Sequence, residues 1–173
     1  MKKITVRQEF DYPLATLLLA REERYKHLDK FPELKNVHII EERHEDGLLK
    51  QVRHIDLGQS LPVAISALLP GDATVLVETS EFNEATHEHS FHVVPGGGFD
   101  NIFTVSGVSR YEPIGETRSS RDYQIEIRSK AFLVGPVVEN AIADVYTNNL
   151  NKDRESILNF IKQLGLDAGT PGE

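Results

Sequence analysis

The residue of this chain best placed to do chemistry is Arg53. In the run "LLKQVRHIDL", Leu49, Ile55 and Leu57 share its parity, so on a strand its guanidinium points with the apolar set. An inward arginine needs an anion, and its planar fork matches carboxylate or phosphate. A ligand headgroup is one such anion; an internal glutamate, or exposure at a strand end, is the alternative. A second polar intrusion lies near the C-terminus. Val138, Ile142, Tyr146, Ile157, Phe160 and Leu164 form an apolar helical stripe, and at about 100° per residue Asn149 and Asp153 fall inside it. Polar groups at such positions must be hydrogen-bonded or wet. Either they face a partly wet cavity, or the helix middle passes the open rim of a sheet.

Other chemistries find less support. In "HEHSFH", His87 and His89 share a strand face, a spacing able to hold zinc or copper. His92 has the opposite parity and spacing places no third ligand, so an exposed polar strand face and no metal are expected. The chain has no cysteine, which removes thiolate nucleophiles and thiolate zinc sites. There is no G-x-S-x-G elbow, no H-E-x-x-H, and "PGGGFD" lacks the lysine and serine of a P-loop. No catalytic residue and no cofactor are therefore assigned.

The 173 residues carry 19 Lys+Arg against 27 Asp+Glu, a formal charge of -8. That balance argues against a nucleic-acid partner, which needs a basic face. Neither a signal peptide nor a membrane span is evident, and a cytoplasmic location is expected. One segment breaks the acidic pattern. "SLPVAISALLPGD" has no charge between Leu61 and Leu69, and it is too short to cross a bilayer, which takes roughly 20 apolar residues. Leu61, Ile65, Leu68 and Leu69 recur at helical spacing. The segment is a cover over a cavity, a fixed core helix or a patch for a protein partner.

Elements that position these residues follow from periodicity. "KKITVRQEFDY" alternates, with Ile4, Val6, Phe10 and Tyr12 on one side and Gln8 among them. "YPLATLLLAREERYKHL" reads as a helix starting near Pro13 and ending before Pro32, and a hairpin turns at Asp46-Gly47. Four further strand-like runs follow: "ATVLVETSEF", "THEHSFHVV", "NIFTVSGVSRYEP" and "RDYQIEIRSKAF". A long helix then runs from Pro136 toward Gly165, spanning roughly 40 Å. The simplest packing is an α+β domain, a curved antiparallel sheet of six to seven strands around the long helix. A domain over residues 1–165 and a flexible tail over 166–173 are expected.

This order resembles the helix-grip fold of the START-like (SRPBCC) superfamily, and within it the PRELI-like lipid-transfer proteins. The pieces that carry the resemblance run in the family's order: "KFP" from Lys30, "ERHEDGLL" from Glu42, Arg53, "LPVAISALLPG" from Leu61, "VETS" from Val77, "RYEP" from Arg110 and "NKDRES" from Asn151. The chain departs from that branch at Gln59-Ser60, where a tryptophan is usual, and at Ser106-Gly107-Val108, which lacks an acidic residue. The resemblance implies a hydrophobic ligand, a phospholipid or fatty-acyl compound, held between sheet and helix. Phe10, Ile55, Tyr123, Ile125 and Ile127 would form the sheet wall, with Ile142 and Tyr146 opposite. Asn149 and Asp153 would face a wet headgroup, and Arg53, helped by Lys152, would receive it. Leu61, Ile65, Leu68 and Leu69 would gate entry, and by swinging out would touch a membrane transiently. Lys30 and Arg154 match further basic positions. Two rivals remain: an enzyme of the polyketide cyclase or hydrolase type, and a protein-interaction module.

Overall fold

The computed structural model describes residues 1–58, 61–69 and 74–163. Seven antiparallel strands form one sheet in the order β1-β7-β6-β5-β4-β3-β2. They are β1 (Lys2–Phe10), β2 (Val37–Glu45), β3 (Leu48–Asp56), β4 (Val75–Asn83), β5 (Glu88–Pro95), β6 (Thr104–Ile114) and β7 (Arg118–Arg128). Strands β2 to β7 form a meander, and β1 joins its free edge through β7. A long helix, α3 (Gly135–Gln163), crosses the sheet, with α1 (Leu14–Glu23) beside its C-terminal half and the single turn α2 (Val63–Ser66) beside its N-terminal half. The curved sheet gripping a long C-terminal helix is the architecture expected from the sequence.

Local chemistry explains most boundaries. Asp46 and Gly47 both have positive φ, 54° and 75°, as a two-residue hairpin turn requires. In β1, Gln8 and Phe10 are buried while Arg7 and Glu9 are exposed, so Gln8 does share the inward face. Helix α1 is shorter than its sequence pattern suggests. Pro13 occupies the capping position rather than the first turn, and a tight turn at Arg24–Lys26 replaces the helix after Glu23. Pro136 lies in the first turn of α3. Leu164, Gly165 and the expected tail lie outside the described residues.

The apolar core comes in two parts. One joins α2 and the N-terminal half of α3 to the sheet through Ile65, Phe103, Ile127, Val138 and Ile142. The other joins α1 and the C-terminal half of α3 through Phe10, Leu17, Phe31, Tyr111, Ile157 and Phe160. Between them α3 presents Tyr146, Leu150 and Asp153 to a hollow.

One close approach shapes that hollow. Gly107 faces Phe91 across β6 and β5, and a Cβ there would sit 2.8 Å from a ring carbon of Phe91. Gly107→Ala is therefore expected to destabilise the fold by roughly 1–2 kcal/mol by displacing a packed ring. A urea-denaturation midpoint unchanged from wild type would show that the ring moves freely.

Candidate functional site

The hollow is built from both sides. On α1, Leu17, Ala20 and Arg21 are buried on one face, and Arg24 follows, also buried, in the tight turn after it. The sheet contributes Arg53 from β3, Glu78 from β4, His89 and Phe91 from β5, Tyr111 from β6, and Arg121 and Tyr123 from β7. All of these occupy inward positions of alternating strands. Tyr146, Leu150 and Asp153 close the space from α3.

The arginines are held differently. Arg121, only 1% exposed, donates from Nη1 to Asp153 Oδ2 at 2.9 Å and from Nε to Gln8 Oε1 at 2.8 Å. Arg24 donates to the other oxygen of the same carboxylate. Asp153 thus bridges two buried arginines. Burial opposes its charge, yet Arg24 and Arg121 outweigh that and lower its pKa to about 2. Arg53 is 8% exposed. It donates to Gln51 Oε1 at 2.7 and 3.1 Å and to the Tyr25 hydroxyl at 3.3 Å, while Glu78 lies 3.9 Å away. Its closest partners are neutral, and two of its five N–H groups make none of these bonds. Arg21 rests over the rings of Phe82 and Tyr111, its guanidinium carbon 5.1 and 5.4 Å from their centroids.

Four guanidinium groups line this space against Asp153, Glu78 and Glu22. Burial pushes the Glu78 carboxyl up, against the pull of Arg53 and Arg21, which weakens its value as a counter-charge. Burial, reinforced by Arg21 and Arg53, pushes His89 well below the usual imidazole range, so His89 is neutral. Its Nε2 is buried with no hydrogen-bond partner among the described residues. Tyr111 and Tyr123 share a hydrogen bond of 3.5 Å. Burial raises Tyr123 well above the usual phenol range, whereas for Tyr111 the two flanking arginines overcome burial and lower it. The "HEHSFH" strand is therefore not an exposed polar face at His89. That side chain is buried and stacked on Phe91 at 5.7 Å, because it shares parity with Phe91 and Val93 on the concave side.

The hollow has two lobes. The inner, arginine-lined lobe holds about 160 Å³. The outer lobe holds about 310 Å³ and is walled by Leu34, Val37, Ile55, Leu57, Leu76 and Ile142. Arg53, Tyr146 and Asp153 line both, so the lobes meet at these residues.

Most of the residues singled out in the sequence converge here. Tyr123 and Ile125 line the inner lobe, Ile55 and Ile142 the outer, and the exposed Asn149 and Lys152 sit at the outer lobe's rim. Phe10 and Ile127 do not line either lobe. Phe10 is packed behind the site in the second core part, its ring under Arg121 and Arg154 at 5.5 and 5.2 Å; Ile127 is fully buried in the first. Leu61, Ile65 and Leu69 are buried and Leu68 partly so, in the core part that contains the outer-lobe residues Leu57, Leu76 and Ile142. The α2 segment thus stands one layer behind the cavity wall. Lys30 is exposed. Arg21, Arg24, Glu78, His89, Tyr111 and Arg121 were not anticipated. The parity that exposes Arg53 as inward holds equally for Arg121, which alternates with Ser119, Tyr123 and Ile125.

A curved seven-stranded antiparallel sheet closed over a long C-terminal helix, with a cavity between them, defines a helix-grip protein. The chain belongs to the family described as "Protein of unknown function (DUF2505)", whose model matches residues 5–161. No curated protein matches the chain. Among solved structures it is similar to the Zhui aromatase/cyclase from Streptomyces sp. R1128, at 14% identity and TM-score 0.62, covering 98% of each chain. It is also similar to norcoclaurine synthase from Thalictrum flavum, at 17% identity and TM-score 0.60, covering 96% of this chain and 87% of that one. For Ara h 8.0201 the figures are 16%, 0.58, 93% and 99%. These likenesses establish the fold. Among the described residues no helix is long and apolar enough to cross a membrane, and no three His, Cys, Asp or Glu side chains gather as a metal site.

Proposed function

We propose that this protein binds a compact amphipathic molecule with an anionic end, such as a fatty acid or another single-chain acyl compound. The observation that carries this reading is the pair of joined lobes of different chemistry: four arginines line the smaller one, while the larger adds an aliphatic wall of Leu34, Val37, Ile55, Leu57, Leu76 and Ile142 to the Arg24 and Arg53 that both share. Buried charge without a full complement of partners is costly. Arg21 already pairs with Glu22 at 2.5 Å, and a carboxylate or phosphate reaching Arg53, whose nearest partners are neutral, would offset that cost. The volumes favour a small guest. Ligand pockets usually hold about 300–1,000 Å³, and lobes of about 310 and 160 Å³ lie at the lower end. One chain or ring system fits such a space better than a two-chain phospholipid. Transfer of such a ligand between membranes, as in the PRELI-like proteins, is the physiological use this reading suggests.

The test is native mass spectrometry of the purified full chain, followed by organic extraction. One single-chain acid bound per chain is expected, either as purified or after incubation with a fatty acid. A chain that stays ligand-free after that incubation overturns the reading.

A second reading draws on a specific observation. Glu78, His89, Tyr111 and Tyr123 converge in the inner lobe with proton affinities pushed in different directions, as acid–base catalysis requires. The similar structures include proteins titled aromatase/cyclase and norcoclaurine synthase. An enzyme would return the extracted compound with a changed mass or cyclisation state; a carrier would return it unaltered.

A further inference from the structure

The turn from β7 into α3, "SKAFLVGPVV", holds large apolar side chains out in solvent. Phe132 is 87% exposed, Leu133 85%, Val137 56% and Val134 37%. A contiguous apolar patch of this kind marks an interaction surface on a monomeric protein. Leu133 has φ 63°, a left-handed conformation that leucine seldom adopts. The base of the turn is nonetheless firmly tied. Ser129 Oγ donates to the Ile102 carbonyl at 2.6 Å, Lys130 N–H to the Asn101 carbonyl at 3.0 Å, and Ser129 N–H to Glu139 at 2.9 Å. The apolar tip is therefore displayed on a rigid support. Helix α2 lies at the same end of the sheet, where β3 ends and β4 begins, and exposes Val63 to 84%.

Charge surrounds the tip in a particular way. Lys2, Lys3, Arg128 and Lys130 are exposed at this end, and Lys2 pairs in register with Ile127, the neighbour of Arg128. The nearby carboxylates are already engaged: Glu126 with Lys3 at 3.6 Å, and Glu139 with the N-terminal amine at 2.9 Å. Among the described residues no carboxylate lies within ion-pair distance of Lys2, Arg128 or Lys130; Asp56 and Asp100 sit on the adjoining loops. In a chain of formal charge -8, this edge sets five positive groups, the N-terminal amine included, against the four carboxylates of Glu126, Glu139, Asp56 and Asp100, a small local excess of positive charge. Aromatic and aliphatic side chains beside lysine and arginine suit the boundary of an anionic bilayer, where headgroup phosphates meet the cations and the apolar tip leaves water.

We propose that this end of the molecule docks transiently on a bilayer containing anionic lipid, inserting Phe132 and Leu133 while Lys2, Arg128 and Lys130 meet the lipid headgroups. The contact then needs no swing of the 61–69 segment, whose Leu61, Ile65 and Leu69 stay buried in the core. The proposal rests on the tip and its charges, independently of what the cavity holds.

The chain has no tryptophan, so Phe132→Trp supplies a single tryptophan at the tip, excited apart from the tyrosines. Titrating the full chain with phosphatidylcholine/phosphatidylglycerol vesicles is expected to shift its emission to the blue. The shift should weaken with pure phosphatidylcholine and fade at high salt. Adding Leu133→Ser should lower vesicle partitioning at least about tenfold, and Lys130→Gln about fivefold. Both positions are exposed, and matching circular dichroism spectra check that the variants fold. An emission spectrum unmoved by either vesicle overturns the proposal. So does a blue shift that grows with protein concentration in the absence of vesicles, which would mark a second copy on the patch. Fatty-acid binding in vesicle-free buffer is a separate readout, so failure of either idea leaves the other standing.

Discussion

Asp153→Ala is expected to cost about 3–5 kcal/mol of stability. The carboxylate accepts from Arg24 on one oxygen and Arg121 on the other. Removing it leaves two guanidinium groups facing each other in a space walled by tyrosine and phenylalanine rings. Both arginine side chains are almost fully buried, at 3% and 1% exposure, while Asp153 itself is 29% exposed, so water takes over the lost contact only in part. For a domain of this size the cost corresponds to a fall in Tm of roughly 6–20 °C, readable in a circular dichroism melt. A fall equivalent to less than about 1 kcal/mol would mean the pair behaves like a surface ion pair.

The same residue predicts an acid dependence with a definite sign. The folded-state pKa of Asp153 is about 2, below its unfolded value. Its stabilisation is therefore fully present above the unfolded pKa, roughly 4, and is lost as pH falls through the folded value. The linked part is worth about 2 kcal/mol. The gap in stability between wild type and Asp153→Ala should accordingly narrow by about that amount as pH drops from about 5 toward 2. A gap that stays constant across this range would place the stabilisation in packing rather than charge.

Arg53→Met is expected to weaken binding of a fatty acid by roughly 10–150-fold. Arg53 stands where the two lobes meet, it is buried, and its nearest hydrogen-bond partners are the neutral groups of Gln51 and Tyr25. Methionine keeps the length of the stem and its packing but offers no donor. The comparison that isolates the effect is the corresponding fatty alcohol, whose affinity should change by less than about threefold, since it presents no charge to the guanidinium. Displacement of a fluorescent fatty acid, followed for both competitors and both proteins, gives the four numbers. Equal losses for acid and alcohol would show that Arg53 shapes the cavity without meeting an anion, and Arg21 or Arg121 would become the candidate in its place.

Much of the site was legible in local pattern. Period-two alternation places Arg53 and Gln8 on the inward face with no knowledge of the fold, and helical spacing places Asp153 and Asn149 in the stripe of α3. The same rules point inward at Arg121, Tyr111 and His89, since each alternates with buried neighbours on its own strand. Applied to "HEHSFH" as a polar cluster rather than to His89 with Phe91 and Val93, they mislead. Residue type suggested solvent there, and strand parity decided otherwise.

Local pattern could not say which inward polar groups meet. Arg24 and Asp153 are 129 positions apart, and Arg121 and Asp153 are 32 apart. Their union depends on how α1 and α3 settle across strands whose register is set elsewhere. The division of the core into two parts, with a charged space between them, arises at the same level. It follows from where the α3 stripe is interrupted and from what stands opposite on the sheet. Backbone periodicity is a property of a few consecutive residues, so the sequence alone determined the strands, the Asp46-Gly47 turn and the long helix, and the facing of side chains such as Arg53 and Gln8, but not where α1 gives way to the turn at Arg24–Lys26. Pairing of buried charges is a property of three-dimensional neighbours. Only the tertiary structure decided that the inward arginines share one carboxylate, and that Phe132 and Leu133 stand outside the core their composition suggests.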